Sequence, residues 1–235
     1  MASVTISNIE TGMTLGTTFV VYGQYDTRPG SAFYAGGTSL VTCTMAIAGS
    51  TITGTSTSTP DSTMLSGYWQ SDFSGVPVGT NGVLTAKLNV PSSPPEAKVT
   101  NLIVSDVMAL DPFVKIDPPP PPPPPKPPEK KEKKSDEPPG AVVAAAAKPK
   151  VKKNFTIGGT YTPGPLDIVL VSIRKGGKPC GESKQHRLTP GAKKWEDDVA
   201  ANLGELGGNY AIIAELQHNA KRIATTALLG VTIEN

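Results

Sequence analysis

The feature that most constrains this chain is a run of eight consecutive prolines at residues 118–125. Proline fixes φ and has no backbone N–H, so such a run favours an extended polyproline II rod and cannot enter a helix or the interior of a sheet. Prolines recur as far as Pro149, and the stretch has no aromatic residue and few apolar ones from which a core could form. The 235 residues are therefore predicted to form two domains, 1–117 and 154–235, held apart by an extended linker, 118–153.

Both flanking segments have the pattern of β-strands. In the first, apolar and polar residues alternate over four stretches: 19–25, 41–47, 83–88 and 99–107. Residues 49–62 are rich in Ser, Thr and Gly and are interpreted as turns, and Asn81-Gly82 is a dipeptide typical of hairpins. No window keeps a helical period. Short strands separated by turns predict an all-β chain built from β-sandwiches.

The second segment repeats the first. A set of strand residues recurs at identical spacing: Phe19, Val21, Gly23 and Tyr25 correspond to Phe155, Ile157, Gly159 and Tyr161. Each segment later has a tryptophan strand followed by an Ala-x-Leu strand: Trp69 with 86–88, and Trp195 with 214–216. Several matches in the same order indicate a tandem repeat of one module.

These motifs, together with the Leu-Gly-Gly-Asn-Tyr approach to a strand at residues 206–214, resemble bacterial and phage immunoglobulin-like modules. Modules of this kind are found in phage capsid decoration and head-fibre proteins. The resemblance covers both halves of the chain and leaves out the proline-rich stretch. It implies two immunoglobulin-like β-sandwich domains joined by a proline-rich linker.

Residues that could carry catalysis or bind a metal are few. His186 and His218 both lie in polar stretches and are expected to be solvated loop histidines. Cys43 and Cys180 fall one in each domain, so neither domain can contain an internal disulfide, and both are expected to pack as small apolar residues. A zinc site would lack ligands at any usual spacing. We predict no enzyme, no catalytic residue, no cofactor and no metal.

The acidic run Glu196-Asp197-Asp198 offers oxygen donors that calcium prefers, but it lacks a recognised loop spacing. Side chains alternate along a strand, so Glu196 and Asp198 are expected on the solvent face and Trp195 and Asp197 on the other, with Lys193 and Lys194 nearby to neutralise the acids. Trp69 and Trp195 occupy equivalent places in the repeat. They are therefore expected to pack in the two cores rather than to anchor a ligand.

Two glycine pairs and the linker complete the candidates. Gly36-Gly37 and Gly176-Gly177 are interpreted as turns, because neither has the strand–loop–helix context that phosphate binding requires. Acidic residues are interleaved with the lysines of the linker, which favours solubility over binding of nucleic acid. An alternative is that the prolines around Lys126 bind an SH3-like groove.

These features favour a structural or display protein. The longest apolar run, 141–147, is too short to span a membrane, and the N-terminal residues lack the pattern of a secretion signal. We expect a phage virion accessory protein made in the host cytoplasm, whose first domain docks on a capsid or other shell protein and whose second domain is displayed outward. The alternative is an extracellular or cell-surface adhesion module that recognises carbohydrate or a host protein, with the second domain as the binding part.

Overall fold

The computed structural model describes residues 1–28, 40–61, 65–90, 93–106, 116–117, 149–161, 168–189, 192–200 and 206–235. The described residues form seventeen β-strands and no helix. The predicted all-β fold class is therefore confirmed. None of the described residues forms a helix that could cross a membrane. The proline run and the glycine pair Gly36-Gly37 lie outside the described residues.

The first domain is a sandwich of two sheets. One sheet has the order β1 (Ser3–Val4), β3 (Phe19–Asp26), β7 (Ser66–Phe73), β6 (Thr55–Pro60). The other has the order β2 (Thr14–Leu15), β9 (Glu96–Val104), β8 (Gly79–Leu88), β4 (Val41–Ile47), β5 (Ser50–Thr53). Large side chains fill the space between the sheets, among them Trp69, Phe19, Phe73, Met45 and Leu84. This strand order is that of an immunoglobulin-like sandwich.

The second domain has the same order of strands. In one sheet, β11 (Asn154–Thr160) pairs with β15 (Lys194–Ala200), as β3 pairs with β7. In the other, β10 (Lys150–Lys152), β17 (Lys221–Glu234), β16 (Gly207–His218) and β12 (Ile168–Lys175) lie side by side. Two short strands, β13 (Lys178–Pro179) and β14 (Lys184–Arg187), pair with β12. A separate core, which includes Trp195, Tyr210 and Ile212, lies between these sheets.

The predicted repeat has a counterpart in the strand register. Gly23 lies opposite Trp69 in the β3–β7 pair, and Gly159 lies opposite Trp195 in the β11–β15 pair. The glycine makes room first for the neighbouring backbone and then for the indole ring. A Cβ at Gly23 would lie 1.8 Å from the Thr5 carbonyl oxygen and 2.9 Å from Nε1 of Trp69, which donates a hydrogen bond to that carbonyl. Both tryptophans are buried in their cores, as predicted.

The proline-rich stretch interrupts the first strand of the second domain. In the first domain this strand is split: Ser7 N donates to the Tyr22 carbonyl in one sheet, and the chain then crosses to the other sheet, where Leu15 pairs with Val104. We call the segment between these two pairings the crossover. Eight positions separate Ser7 from Leu15.

The second domain repeats this split with a longer crossover. Asp117 N donates to the carbonyl of Gly158, which occupies the place of Tyr22, and Val151 pairs with Ile233. Ile116 is buried in the second core. Thirty-four positions separate Asp117 from Val151. The predicted boundaries are therefore wrong at both ends of 118–153, because 116–117 and 150–152 belong to the second domain and the prolines are an insertion within its first strand.

Two turn predictions are also wrong. Asn81-Gly82 forms a bulge inside β8 rather than a hairpin, with φ of +57° at Asn81, because the conformation that suits a hairpin turn also suits a bulge. Residues 49–62, interpreted as turns, contain the two edge strands β5 and β6. At Gly54 between them the chain passes from one sheet to the other, where a Cβ would lie 2.5 Å from Ser71 Oγ.

The two domains are in direct contact. Strand β17 of the second domain pairs in parallel with β2 of the first, with Ala224 opposite Thr14 and Thr225 opposite Leu15. This pairing joins one sheet of each domain into a continuous sheet of eleven strands. The prediction that a linker holds the domains apart is therefore wrong, and the surface between them becomes the main candidate for function.

Candidate functional site at the interface between the domains

The two histidines lie on strands rather than in loops. His186 is on β14, half-buried, with its ring 6.5 Å from the ring of Trp195. His218 is the last residue of β16, and its Nε2 lies 3.1 Å from the Asn219 side-chain nitrogen. The two strands flank β12 on opposite sides. Among the residues that the structure describes, no three His, Cys, Asp or Glu side chains are grouped as a metal site would require.

The acidic run follows the predicted alternation, with Glu196 and Asp198 exposed and Asp197 largely covered. The partner of Asp197 is Lys184, whose Nζ lies 2.8 Å from Oδ1, rather than the predicted Lys193 or Lys194. Thr156 Oγ1 donates to Asp198 Oδ1 at 2.6 Å. Sequence analysis missed Lys184 because it lies on β14, a strand whose closeness to β15 is fixed only by the tertiary fold.

The two cysteines are free thiols in different cores. Cys43 is fully buried, and this burial raises its pKa to about 12. Cys180 is half-buried beside the second core, and burial raises its pKa as well. A thiolate is the nucleophilic form of cysteine, so neither site favours the reactive state.

The domains pack face to face as well as edge to edge. The outer surface of β3 and β7 in the first domain lies against the outer surface of β12, β16 and β17 in the second. We call the first of these surfaces the B-E face and the second the F-G face. The letters are those that immunoglobulin strands conventionally carry: β3 and β7 correspond to B and E, and β16 and β17 to F and G. Their apolar contacts form a third cluster: Val20, Tyr22, Ala211, Ile213 and Ala227. Strand β16 is buried on both sides, which accounts for the nearly unbroken apolar run at 210–214.

A buried carboxylate lies in this interface. Glu215 on β16 is 1% exposed. Its Oε2 lies 3.1 Å from Arg222 Nε, and its Oε1 accepts a hydrogen bond from the Tyr22 hydroxyl of the first domain at 3.3 Å. Desolvation by burial raises the pKa of Glu215 in spite of the positive charge of Arg222. A buried charge is tolerated only when it is paired, so the position of Glu215 depends on residues of both domains.

Two arginines of the second domain contact the first. The Arg174 guanidinium lies over the Tyr22 ring, 3.4 Å from the ring centroid, in a cation–π contact. Burial, and next the charge of Glu215, raise the pKa of Tyr22. Arg222 donates from Nη1 to the Ser7 carbonyl at 2.6 Å. Arg222 therefore binds Glu215 and the crossover of the first domain at once.

A cleft of about 250 Å³ opens beside Arg222, between residues 11–14 of the crossover and residues 221–223 of β17. Clefts that enclose drug-sized ligands are larger than this, at roughly 300–1,000 Å³. The cleft is therefore better described as part of the seam between the domains than as a ligand site.

The hairpin tip at Gly176-Gly177 fits against the B-E face. Gly177 N donates to Gln70 Oε1 at 2.9 Å, and the Gly176 carbonyl accepts from Thr59 Oγ1 at 3.0 Å. A Cβ at Gly177 would overlap the backbone carbonyl of Trp69. The pair forms a turn, as predicted, but the sequence did not show that this turn docks on a strand more than 100 positions away.

Comparisons with known proteins identify no relative. A scan against protein-family models finds no match, and no curated protein matches. Among solved structures, a titin structure aligns over 100% of both chains at 11% identity, with a TM-score of 0.27. A marsupial T cell receptor aligns over 97% of this chain and 98% of its own at 9% identity, with a TM-score of 0.32. The ectodomain of mouse nectin-like molecule 4 aligns over 99% of this chain and 64% of its own at 11% identity, with a TM-score of 0.24. At these TM-scores whole chains do not superpose, so the assignment of an immunoglobulin-like fold rests on the strand order and register.

Proposed function

We propose that this chain is a non-enzymatic structural protein that works as one two-domain unit, and that it is a phage virion accessory protein of the capsid decoration or head-fibre type. The observation that carries this proposal is the interface. Domains joined only by a linker move independently by default, whereas these share a continuous sheet, an apolar cluster and buried polar contacts. Such a unit presents its outer surfaces at a fixed angle, as a component of a particle requires.

The free cysteines support assembly in a reducing compartment. Secreted and surface-exposed small domains often rely on disulfides, which form in oxidising environments and are rare in the cytosol. Cys43 is buried in the first core and Cys180 packs beside the second, each as a thiol. Both sandwiches therefore depend on packing alone. This favours a virion protein assembled in a host cytoplasm over an exported adhesin, which is the alternative function.

The docked arrangement changes the proposed mode of display. The proline-rich insertion leaves the second domain after Asp117 and returns to it at Pro149, where Thr232 N donates to the proline carbonyl. It cannot set the distance between the domains. We therefore propose that the first domain contacts the shell and that the second is carried beside it. A variant that lacks residues 154–235 would expose Val20 and Tyr22. Its binding to the shell would therefore not show which domain docks.

Co-sedimentation with phage heads assembled without this protein tests the proposal. The full chain should pellet with such heads to saturation, and heads that already carry it should bind no more. The parallel measurement is binding to washed bacterial cells and to a glycan array. Binding to cells or glycans with no binding to heads would overturn the virion proposal in favour of adhesion.

A further inference from the structure

The interface within the chain uses one face of each domain and leaves the equivalent pair of faces exposed. The B-E face of the first domain is covered by the F-G face of the second. Since the domains repeat one fold, the first domain has its own F-G face, on β4, β8 and β9, and the second has its own B-E face, on β11 and β15. Outward-pointing residues of both free faces are accessible to solvent in the structure.

The free F-G face carries lysines where the covered one is mainly apolar. Strand register shows which residues of the two F-G faces are equivalent. Thr85 and Lys98, which lie opposite each other, take the places of Ile213 and Ala227. Two positions further along the strand, Lys87 takes the place of Glu215. Lys87 and Lys98 are both exposed. Within strands β4, β8 and β9 the single acid is Glu96, which forms an ion pair with Lys98 at 3.1 Å. This face therefore has a positive balance.

The free B-E face carries acids at the matching places. Counting from the equivalent tryptophans, Glu196 takes the place of Gln70, and Asp198 takes the place of Asp72. Both are exposed, and Lys194 is the one cation among the outward residues of the same strand. This face therefore has a negative balance, opposite to that of the free F-G face.

A contact equivalent to that of the hairpin tip is also available. In the first domain, Ala48-Gly49 closes the β4–β5 hairpin as Gly176-Gly177 closes the β12–β13 hairpin. The φ angles match, at +76° for Gly49 and +80° for Gly177. Nothing lies within 4 Å of a Cβ added at Gly49, so this tip is open. Gly177 N donates to Gln70 within the chain. Gly49 N can donate in the same way to the Glu196 carboxylate of a second copy.

We propose that the free F-G face of the first domain is a docking surface for the free B-E face of the second domain of another copy of this chain, in the same face-to-face geometry. Such a contact joins unlike surfaces, so it leads to a head-to-tail series. Opposite charges steer the two faces together. Glu215 contacts Tyr22 within the chain, so Lys87, in the place of Glu215, faces Gly158, which lies opposite Glu196 in the β11–β15 pair. Ala227 packs with Val20, so Lys98, in the place of Ala227, faces Thr156, which lies opposite Asp198.

The contact is weak and sensitive to salt. Thr156 stands where the covered B-E face has Val20, and Gly158 stands where it has Tyr22, so little apolar surface is buried. Exposed ion pairs contribute only about 0.2–1 kcal/mol each and are screened by salt. Association is therefore expected at high protein concentration and low ionic strength. The proposal concerns the chain alone and does not depend on binding to phage heads.

A charge exchange tests the proposal on the full chain. The weight-average mass is measured by sedimentation equilibrium over a series of concentrations, at low and at high ionic strength. The wild type should associate at low ionic strength and dissociate at high ionic strength. Lys87→Glu and Glu196→Lys should each weaken the association constant about tenfold, since reversal turns an attraction into a repulsion of similar size. The double variant should recover most of the loss.

The control is Arg187→Glu, an equal charge change at an exposed residue of β14 that lies opposite Ile168 of β12 and outside both free faces, which should leave association unchanged. Unaltered circular dichroism of each variant establishes that it is folded. A wild-type chain that stays monomeric at low ionic strength would overturn the proposal. So would a double variant that associates no better than the two single variants, because the two residues would then not face each other across the contact.

Discussion

Replacing Gly177 with alanine should detach the hairpin tip of the second domain from the first. The new Cβ would overlap the Trp69 carbonyl and lie 3.1 Å from the Gln70 nitrogen. Both are backbone atoms of β7, a strand paired on both of its edges, so they cannot move aside. The tip itself must move, which breaks the hydrogen bond from Gly177 N to Gln70 Oε1.

The cost has two parts. An alanine at φ of +80° is strained by roughly 1–2 kcal/mol. Loss of the hydrogen bond leaves the buried Gln70 amide oxygen without this donor, which costs about 1–3 kcal/mol. Gly49→Ala provides the matched control, because it has nearly the same φ in the equivalent turn and no atom near its Cβ. The difference between the two variants, about 1–3 kcal/mol, is therefore the contribution of docking at this point.

Guanidinium unfolding followed by tryptophan fluorescence gives the free energies, and amide hydrogen exchange at Gly177 reports the local contact. In the wild type this amide should be protected, and in Gly49→Ala it should remain so. The docking of Gly177 on the first domain would be refuted if Gly177→Ala were no more destabilising than Gly49→Ala, or if exchange at position 177 in the wild type were as fast as in an open turn.

Because the pKa of Glu215 is raised on folding, the folded state binds the Glu215 proton more tightly than the unfolded state does. The stability that this proton contributes is complete below the ordinary pKa of 4.5 and is lost as pH rises through the raised pKa. The free energy of unfolding, measured by urea titration, should therefore fall with rising pH more steeply in the wild type than in Glu215→Gln. Replacing residues 118–148 with a bridge that restores the eight-position spacing of the first crossover should leave the melting temperature within about 2 °C, because every described strand pairing is retained; a large drop in calorimetry would contradict the assignment as an insertion. Iodoacetamide should label Cys180 before Cys43 in the native protein, because Cys43 is fully buried; mass spectrometry of the peptides would show the order.

Local pattern was sufficient to predict the sandwiches. Alternation along β3 and β11 reflects contacts between strands of one domain, and it recurs in the chain at identical spacing. It is visible in a sequence because that spacing repeats. The buried positions of Trp69 and Trp195 were predictable because the two residues occupy equivalent places in the repeat.

The interface could not be predicted in the same way, because its partners lie far apart in the chain. Tyr22 and Glu215 are separated by 193 positions, and each looks ordinary in its own strand. One signal was present. Val20 and Tyr22 are apolar at positions that alternate with the core residues Phe19 and Val21, so β3 is apolar on both faces. A strand of that kind is expected to be covered on both sides.

The insertion shows a different limit. A proline run has the same composition whether it separates two domains or interrupts one strand, so composition alone cannot distinguish the cases. What distinguishes them is the hydrogen bond from Asp117 N to the Gly158 carbonyl, which repeats that from Ser7 N to Tyr22. In the first domain, the crossover that follows Ser7 lies beside Arg222 of the next domain. Asp117 and Pro149, the described residues on either side of the proline run, therefore lie where a further domain would make the equivalent contact, beside the head-to-tail contact that we propose.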